Sequence, residues 1–179
     1  MILRVPRILR AFFAYTYTAG IMTSIKQTLH LDCPYVRAKA YLHDALQAAA
    51  LSRTPQLLHL SASLPGTGIE LEKGVRVSYQ PTVDPFHFDE PWIVDWTPEP
   101  GGRYPSFRGT LTVRADEDYT GAILELEGSY APPMGAMGQV FDAALGRRIA
   151  GSTMRRLLSS IGDEMTSRYE REEAAKVAR

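Results

Sequence analysis

Cysteine is almost absent from this chain. Cys33 is the only one among 179 residues, so no disulfide can form within it. That count suits a reducing compartment, and a cytoplasmic location is expected. Cys33 itself, in Asp32-Cys33-Pro34, reads as a small buried residue. Net charge is absent too: 20 Lys and Arg balance 20 Asp and Glu. No field of one sign draws the chain onto nucleic acid or an anionic membrane. Basic residues form no stripe interleaved with aromatics, so no nucleic-acid partner is expected. No apolar run approaches the ~20 residues of a membrane helix, so stable membrane insertion is not expected. Internal repeats and low-complexity segments are also lacking.

The motifs of common chemistries are missing as well. Pro65-Gly66-Thr67-Gly68 lacks the spacing and the terminal Lys-Ser/Thr of a phosphate-binding loop. No Gly-x-Ser-x-Gly elbow occurs, so no nucleophile triad can be assembled. His87 lies near Asp84, Asp89 and Glu90, yet a metal site needs three or four convergent ligands, and in a Pro-rich connection it reads as a solvated loop residue. His30, His43 and His59 are isolated. Asp95 is expected to face solvent. Asp142 suits the positive end of a helix dipole, and Arg148 suits a structural ion pair. No metal and no cofactor are expected, and no residue is nominated as catalytic.

What is present is a change of period near Tyr130. Before it, apolar residues recur at every second position. After it, over about residues 138–169, they recur at helical spacing. Residues 24–32 alternate as a strand, and Pro34 suits the first turn of a following helix over 35–50. On that helix Val36, Ala40, Leu42, Ala45, Leu46 and Ala49 fall roughly on one face, with a signal weak enough to allow two short helices. Further strands are read at 57–63, 75–80, 92–96, 107–114 and 122–130, separated by turns rich in Pro, Gly and Asp. Each has one apolar and one polar face, the mark of an antiparallel sheet wet on one side. Phe141, Leu145, Ile149, Leu157, Ile161 and Met165, widened by Met154 and Leu158, then run down a long helix.

The expected fold class is α+β. A curved antiparallel sheet wraps around a long C-terminal helix, with short helices after the first strand. Residues 22–170 form the domain, and 171–179 form a charged tail into which the long helix can extend past Tyr169 before it frays. Residues 1–21 carry Arg4, Arg7 and Arg10 ahead of a short apolar stretch. They read as a disordered or loosely attached extension before a start at Met22; a weak secretory signal and an amphipathic anchor are the alternatives.

A sheet bent around one helix can leave a hollow. Gly109 and Gly128 lie on the apolar faces of adjacent strands, where glycine permits bending and gives no side chain to pack. Tyr79, Trp96, Tyr130, Met134, Met137, Phe141 and Leu145 are the other expected wall residues. They combine apolar bulk with a few polar handles, as ligand pockets do. Each taken singly also suits an ordinary packed core.

Two stretches carry a family resemblance. One is Trp96-Thr97-Pro98 with Gly101-Gly102-Arg103-Tyr104-Pro105-Ser106-Phe107-Arg108-Gly109. The other is Gly128-Ser129-Tyr130-Ala131-Pro132-Pro133-Met134-Gly135, followed by Gly138, Asp142, Gly146, Arg148 and Ala150. Over about residues 22–170 the chain resembles the START-like, helix-grip proteins of the SRPBCC superfamily. That group includes polyketide cyclases, lipid-transfer domains and the major birch-pollen allergen. The resemblance implies a sheet gripping the C-terminal helix around a hydrophobic cavity. It implies no catalytic residue, since the superfamily has no common catalytic motif.

Three functions follow as expectations. The first is non-catalytic binding, carriage or sensing of a small hydrophobic molecule such as a lipid, isoprenoid or polyketide. The second is a cyclase or dehydratase, which needs an acid or base pointing inward. The third is an interaction module with a filled core and an exposed apolar patch.

Overall fold

A computed structural model describes residues 23–52, 56–63, 70–82, 90–99, 105–131 and 143–178. The expected extension at 1–21, the loop at 65–68, His87 and Asp142 lie outside these residues. The period-2 segments become six strands: β1 (Thr23–Leu31), β2 (Gln56–Ser63), β3 (Glu70–Pro81), β4 (Trp92–Pro98), β5 (Ser106–Ala115) and β6 (Ala122–Ala131). Helix α1 (Tyr35–Leu51) follows β1, and helix α2 (Ala143–Val177) follows β6.

All strand pairs are antiparallel, in the order β1-β6-β5-β4-β3-β2. The first two strands of the chain are therefore the two edges of the sheet. Helix α2 touches both of them, and β6 as well. A sheet that meets one helix with both edges has to curl around it. This is the helix-grip α+β arrangement.

Alternation sets the two faces. Trp92, Val94 and Trp96 of β4, Phe107, Leu111 and Val113 of β5, and Leu124, Leu126 and Tyr130 of β6 are all buried in one core. Ile149, Met154, Leu157, Leu158 and Met165 of α2 join the same core. Burying each such Leu or Val contributes about 1.5–3 kcal/mol. Gly162 lets α2 press close to β1, for a Cβ there would stand 2.6 Å from Leu29 Cδ2 and 2.9 Å from Leu31 Cδ2. The opposite face of the sheet is charged. Glu125 pairs with Lys26 at 2.6 Å and with Arg114 at 3.4 Å, and Asp95 lies 3.9 Å from Arg108. Exposed pairs of this kind contribute about 0–1 kcal/mol each.

Helix α1 is one unbroken helix rather than two short ones. Pro34 precedes it at the cap position, and its carbonyl oxygen accepts from the backbone N–H groups of Arg37 and Ala38, both at 2.9 Å. Ala38, Tyr41, Leu42 and Leu46 form its buried stripe. Val36, read from the sequence as part of the apolar face, is instead 75% exposed. It sits two residues before Ala38, about 200° around the helix, and so on the far side from that stripe.

Helix α2 runs past Tyr169 into the charged C-terminal segment. The charged segment expected to fray is helical through Val177. Glu172 holds it to α1: its Oε2 accepts from the Tyr41 hydroxyl at 2.6 Å, and Arg37 Nη1 stands 3.5 Å away. Arg168 sits 4.3 Å above the Tyr41 ring and pairs with Asp44 at 3.0 Å and Glu172 at 3.3 Å. Partners on another element are invisible to a helical repeat, so sequence periodicity alone does not show what holds this segment. No helix among the described residues is long and apolar enough to cross a membrane.

Candidate functional site

Strand register builds the site. Ile25 pairs with Gly128, Gly128 with Gly109, Gly109 with Val94 and Val94 with Tyr79. These five residues form one straight row across the inner face. The next row toward one end is Thr23, Tyr130, Phe107, Trp96 and Val77. Five of the residues nominated from sequence, Tyr79, Gly109, Gly128, Trp96 and Tyr130, thus fall in these two adjacent rows.

The two glycines face each other because nothing larger fits. A Cβ on Gly109 would stand 2.5 Å from Phe107 Cζ and inside contact distance of the Glu127 carbonyl oxygen. A Cβ on Gly128 would stand 2.7 Å from the same Phe107 carbon and inside contact distance of Gly109 Cα and the Arg108 carbonyl oxygen. The glycines read as open wall from the sequence therefore lie beneath the ring of Phe107. An aromatic laid over a strand glycine restores the packing that glycine lacks. Phe107 in turn stacks on Trp96, with centroids 4.1 Å apart and planes at 15°. Sequence reasoning placed Phe107 on this face but did not nominate it. Its position two residues before Gly109, on the same side of β5, was the available signal.

The polar handles differ sharply. The Trp96 indole N–H donates to the Pro105 carbonyl oxygen at 3.1 Å and is satisfied. Tyr130 is engaged with a neighbour of its own. Tyr79 is only 6% exposed, and no residue hydrogen-bonds its hydroxyl among those described. Burial pushes that phenol up to about 12, so it stays protonated and donates at neutral pH. The inward positions at 75–79, 92–96, 107–113 and 122–130 carry no carboxylate, imidazole, ammonium or guanidinium.

The remaining sequence candidates fall elsewhere. Met134, Met137 and Phe141 lie outside the described residues. Leu145 lies in the first turn of α2, and its side chain is outside the described part. Asp95 faces outward, and Arg148 is exposed. Cys33 is fully buried, and burial pushes its thiol up. No group of three potential metal ligands occurs among the described residues. A separate cleft of about 170 Å³ opens between the helices, lined by Tyr41, Asp44, Ala45, Glu164, Met165 and Arg168. Tyr41, Asp44 and Arg168 there are already committed to the pairing that joins α1 to α2.

No family model and no curated protein sequence matches this chain. Solved structures do align with it. The Zhui aromatase/cyclase from a Streptomyces species does so at TM-score 0.48 and 13% identity, over 84% of this chain and 94% of that one. A Thermus thermophilus protein, TTHA0849, aligns at 0.48 and 11%, over 81% and 98%. A START superfamily protein from Mycobacterium smegmatis aligns at 0.45 and 9%, over 83% and 97%. The fold is START-like, as strand order and the gripped helix establish on this chain itself.

Proposed function

We propose that this protein binds a small hydrophobic molecule against the inner face of its sheet, beneath α2. One observation carries the reading. Tyr79 is nearly buried on the inner face of β3, and its protonated hydroxyl has no hydrogen-bond partner among the described residues. A ligand supplies the missing partner. The apolar and aromatic surface around it suits the body of that ligand. Binding is favoured over cyclisation because the inward positions at 75–79, 92–96, 107–113 and 122–130 offer tyrosine hydroxyls and no stronger acid or base. The lipid, isoprenoid or polyketide classes all fit this chemistry. The single, buried cysteine supports residence in a reducing compartment such as the cytoplasm.

Native mass spectrometry of the purified protein tests the reading, together with titration by a neutral fluorescent hydrophobe such as Nile red. Saturable uptake near one molecule per chain is expected. A protein that carries no added mass and takes up no dye would overturn it and favour the filled-core interaction module.

A further inference from the structure

Resting on that binding reading, we infer that the N-terminal half of α2 is a docking face for an anionic lipid membrane, at which the protein meets its hydrophobic cargo. A net charge of zero conceals how the charges are distributed. Between Asp142 and Asp163 the sequence holds four arginines, Arg147, Arg148, Arg155 and Arg156, and no acid. From Asp163 to Val177 five acids stand against three cations. One half of the helix is strongly basic and the other mildly acidic.

All four arginines are exposed, and none has an ion-pair partner among the described residues. Arg37, Arg108, Arg114 and Arg168, by contrast, each meet a carboxylate. The neighbouring elements offer the four none. Strands β1 and β2 carry no acid. On β6, Glu125 and Glu127 are taken by Lys26, and on α1 Asp44 is taken by Arg168. Like charges crowded on one face repel, and an anionic surface relieves them.

The arrangement says what kind of anion. At about 100° per residue, Arg148 and Arg155 lie two turns apart near one line, with Arg147 and Arg156 to either side of it. The four span about 14 Å of helix, with the small residues Gly151 and Ser152 between them. Guanidinium groups so spread do not converge on one phosphate or carboxylate; they suit an extended polyanion. The face also adjoins the proposed site. A Cβ on Gly151 would stand 3.5 Å from Ile25 Cδ1, and Ile25 ends the row that runs through Gly128 and Gly109. A bilayer is the polyanionic surface in which a hydrophobic cargo dissolves, whereas nucleic acid holds none. Docking by charge needs no spanning helix, since each arginine near an anionic leaflet strengthens adsorption about 5-fold.

Co-sedimentation with vesicles tests this, using phosphatidylcholine alone and an equimolar mixture with phosphatidylserine. Binding to the mixed vesicles alone is expected, and it should fade as salt screens the exposed charges. Arg155→Gln combined with Arg156→Gln should lower partitioning about 10- to 30-fold. Arg171→Gln combined with Lys176→Gln removes the same charge from the other half of α2 and should leave most binding in place. Circular dichroism checks that each variant is folded, and Nile red uptake should be the same in all. Equal losses from the two double variants would overturn the inference, since net charge and not the arginine face would then be responsible. Equal binding to neutral vesicles would overturn it too, as would binding of duplex DNA with none to vesicles. Dye uptake without vesicle binding would bring down the docking face and leave hydrophobic binding intact. Adsorption to the mixed vesicles without dye uptake would support the docking face and bring down the binding reading.

Discussion

Gly109 and Gly128 meet across β5 and β6, and a single methyl group added to either has no room. Gly128→Ala is expected to destabilise the fold by about 1–3 kcal/mol, the usual cost of overpacking. The midpoint of urea unfolding measures it, and an unchanged midpoint would mean that the surface over the pair is open. Alternation in the sequence placed both glycines on the inner face, so that much was legible. Their direct opposition was not, because register depends on how two strands separated by a turn are aligned. The same limit hid the role of Phe107. Its ring lies over Gly128, a residue of the neighbouring strand. Tyr79 shows the converse. Its inward direction could be read from Val75 and Val77, but whether its hydroxyl had a partner could not.

At the scale of elements, α1 shows how a weak periodic signal goes astray. Its alanines occur on several faces, so spacing alone did not distinguish the stripe holding Ala38, Tyr41 and Leu42 from one that included Val36. The structure separates them, and two substitutions check the result. Leu42→Ala should cost about 2–5 kcal/mol, as expected of a buried Leu in a packed core. Val36→Ala should change stability by no more than about 0.5 kcal/mol, as at an ordinary surface position. Comparable losses for the two, measured by chemical denaturation, would contradict the observed face. The strands were far more legible than α1. Trp92, Val94 and Trp96 alternate with Ile93 and Asp95, and a period of two leaves only two faces to choose between.

For the molecule as a whole, closure depends on α2 being held at both ends of its contact with the rest of the chain. Sheet edges β1 and β2 take one part, and α1 takes the C-terminal part through Tyr41, Arg168 and Glu172. The Glu172 carboxyl is held below its ordinary value, first by the Tyr41 hydrogen bond and then by Arg168. A depressed carboxyl contributes stability above its unfolded value and loses it as pH falls through the folded one. Tyr41→Phe should therefore be less stable than the unaltered protein near neutrality, and the gap should narrow as pH drops below about 4. Thermal melts of both proteins across that range check it, and a gap independent of pH would remove Glu172 from the account. By itself the sequence determined the order of elements and the buried face of most strands, because those follow from local alternation and turn chemistry. Only the tertiary structure decided that Gly109 opposes Gly128, that Phe107 covers both, that the charged end of α2 is anchored and that Tyr79 has no hydrogen-bond partner among the described residues. Each of these turns on which residues distant in the chain come together, and no local pattern encodes which distant partner a residue will meet.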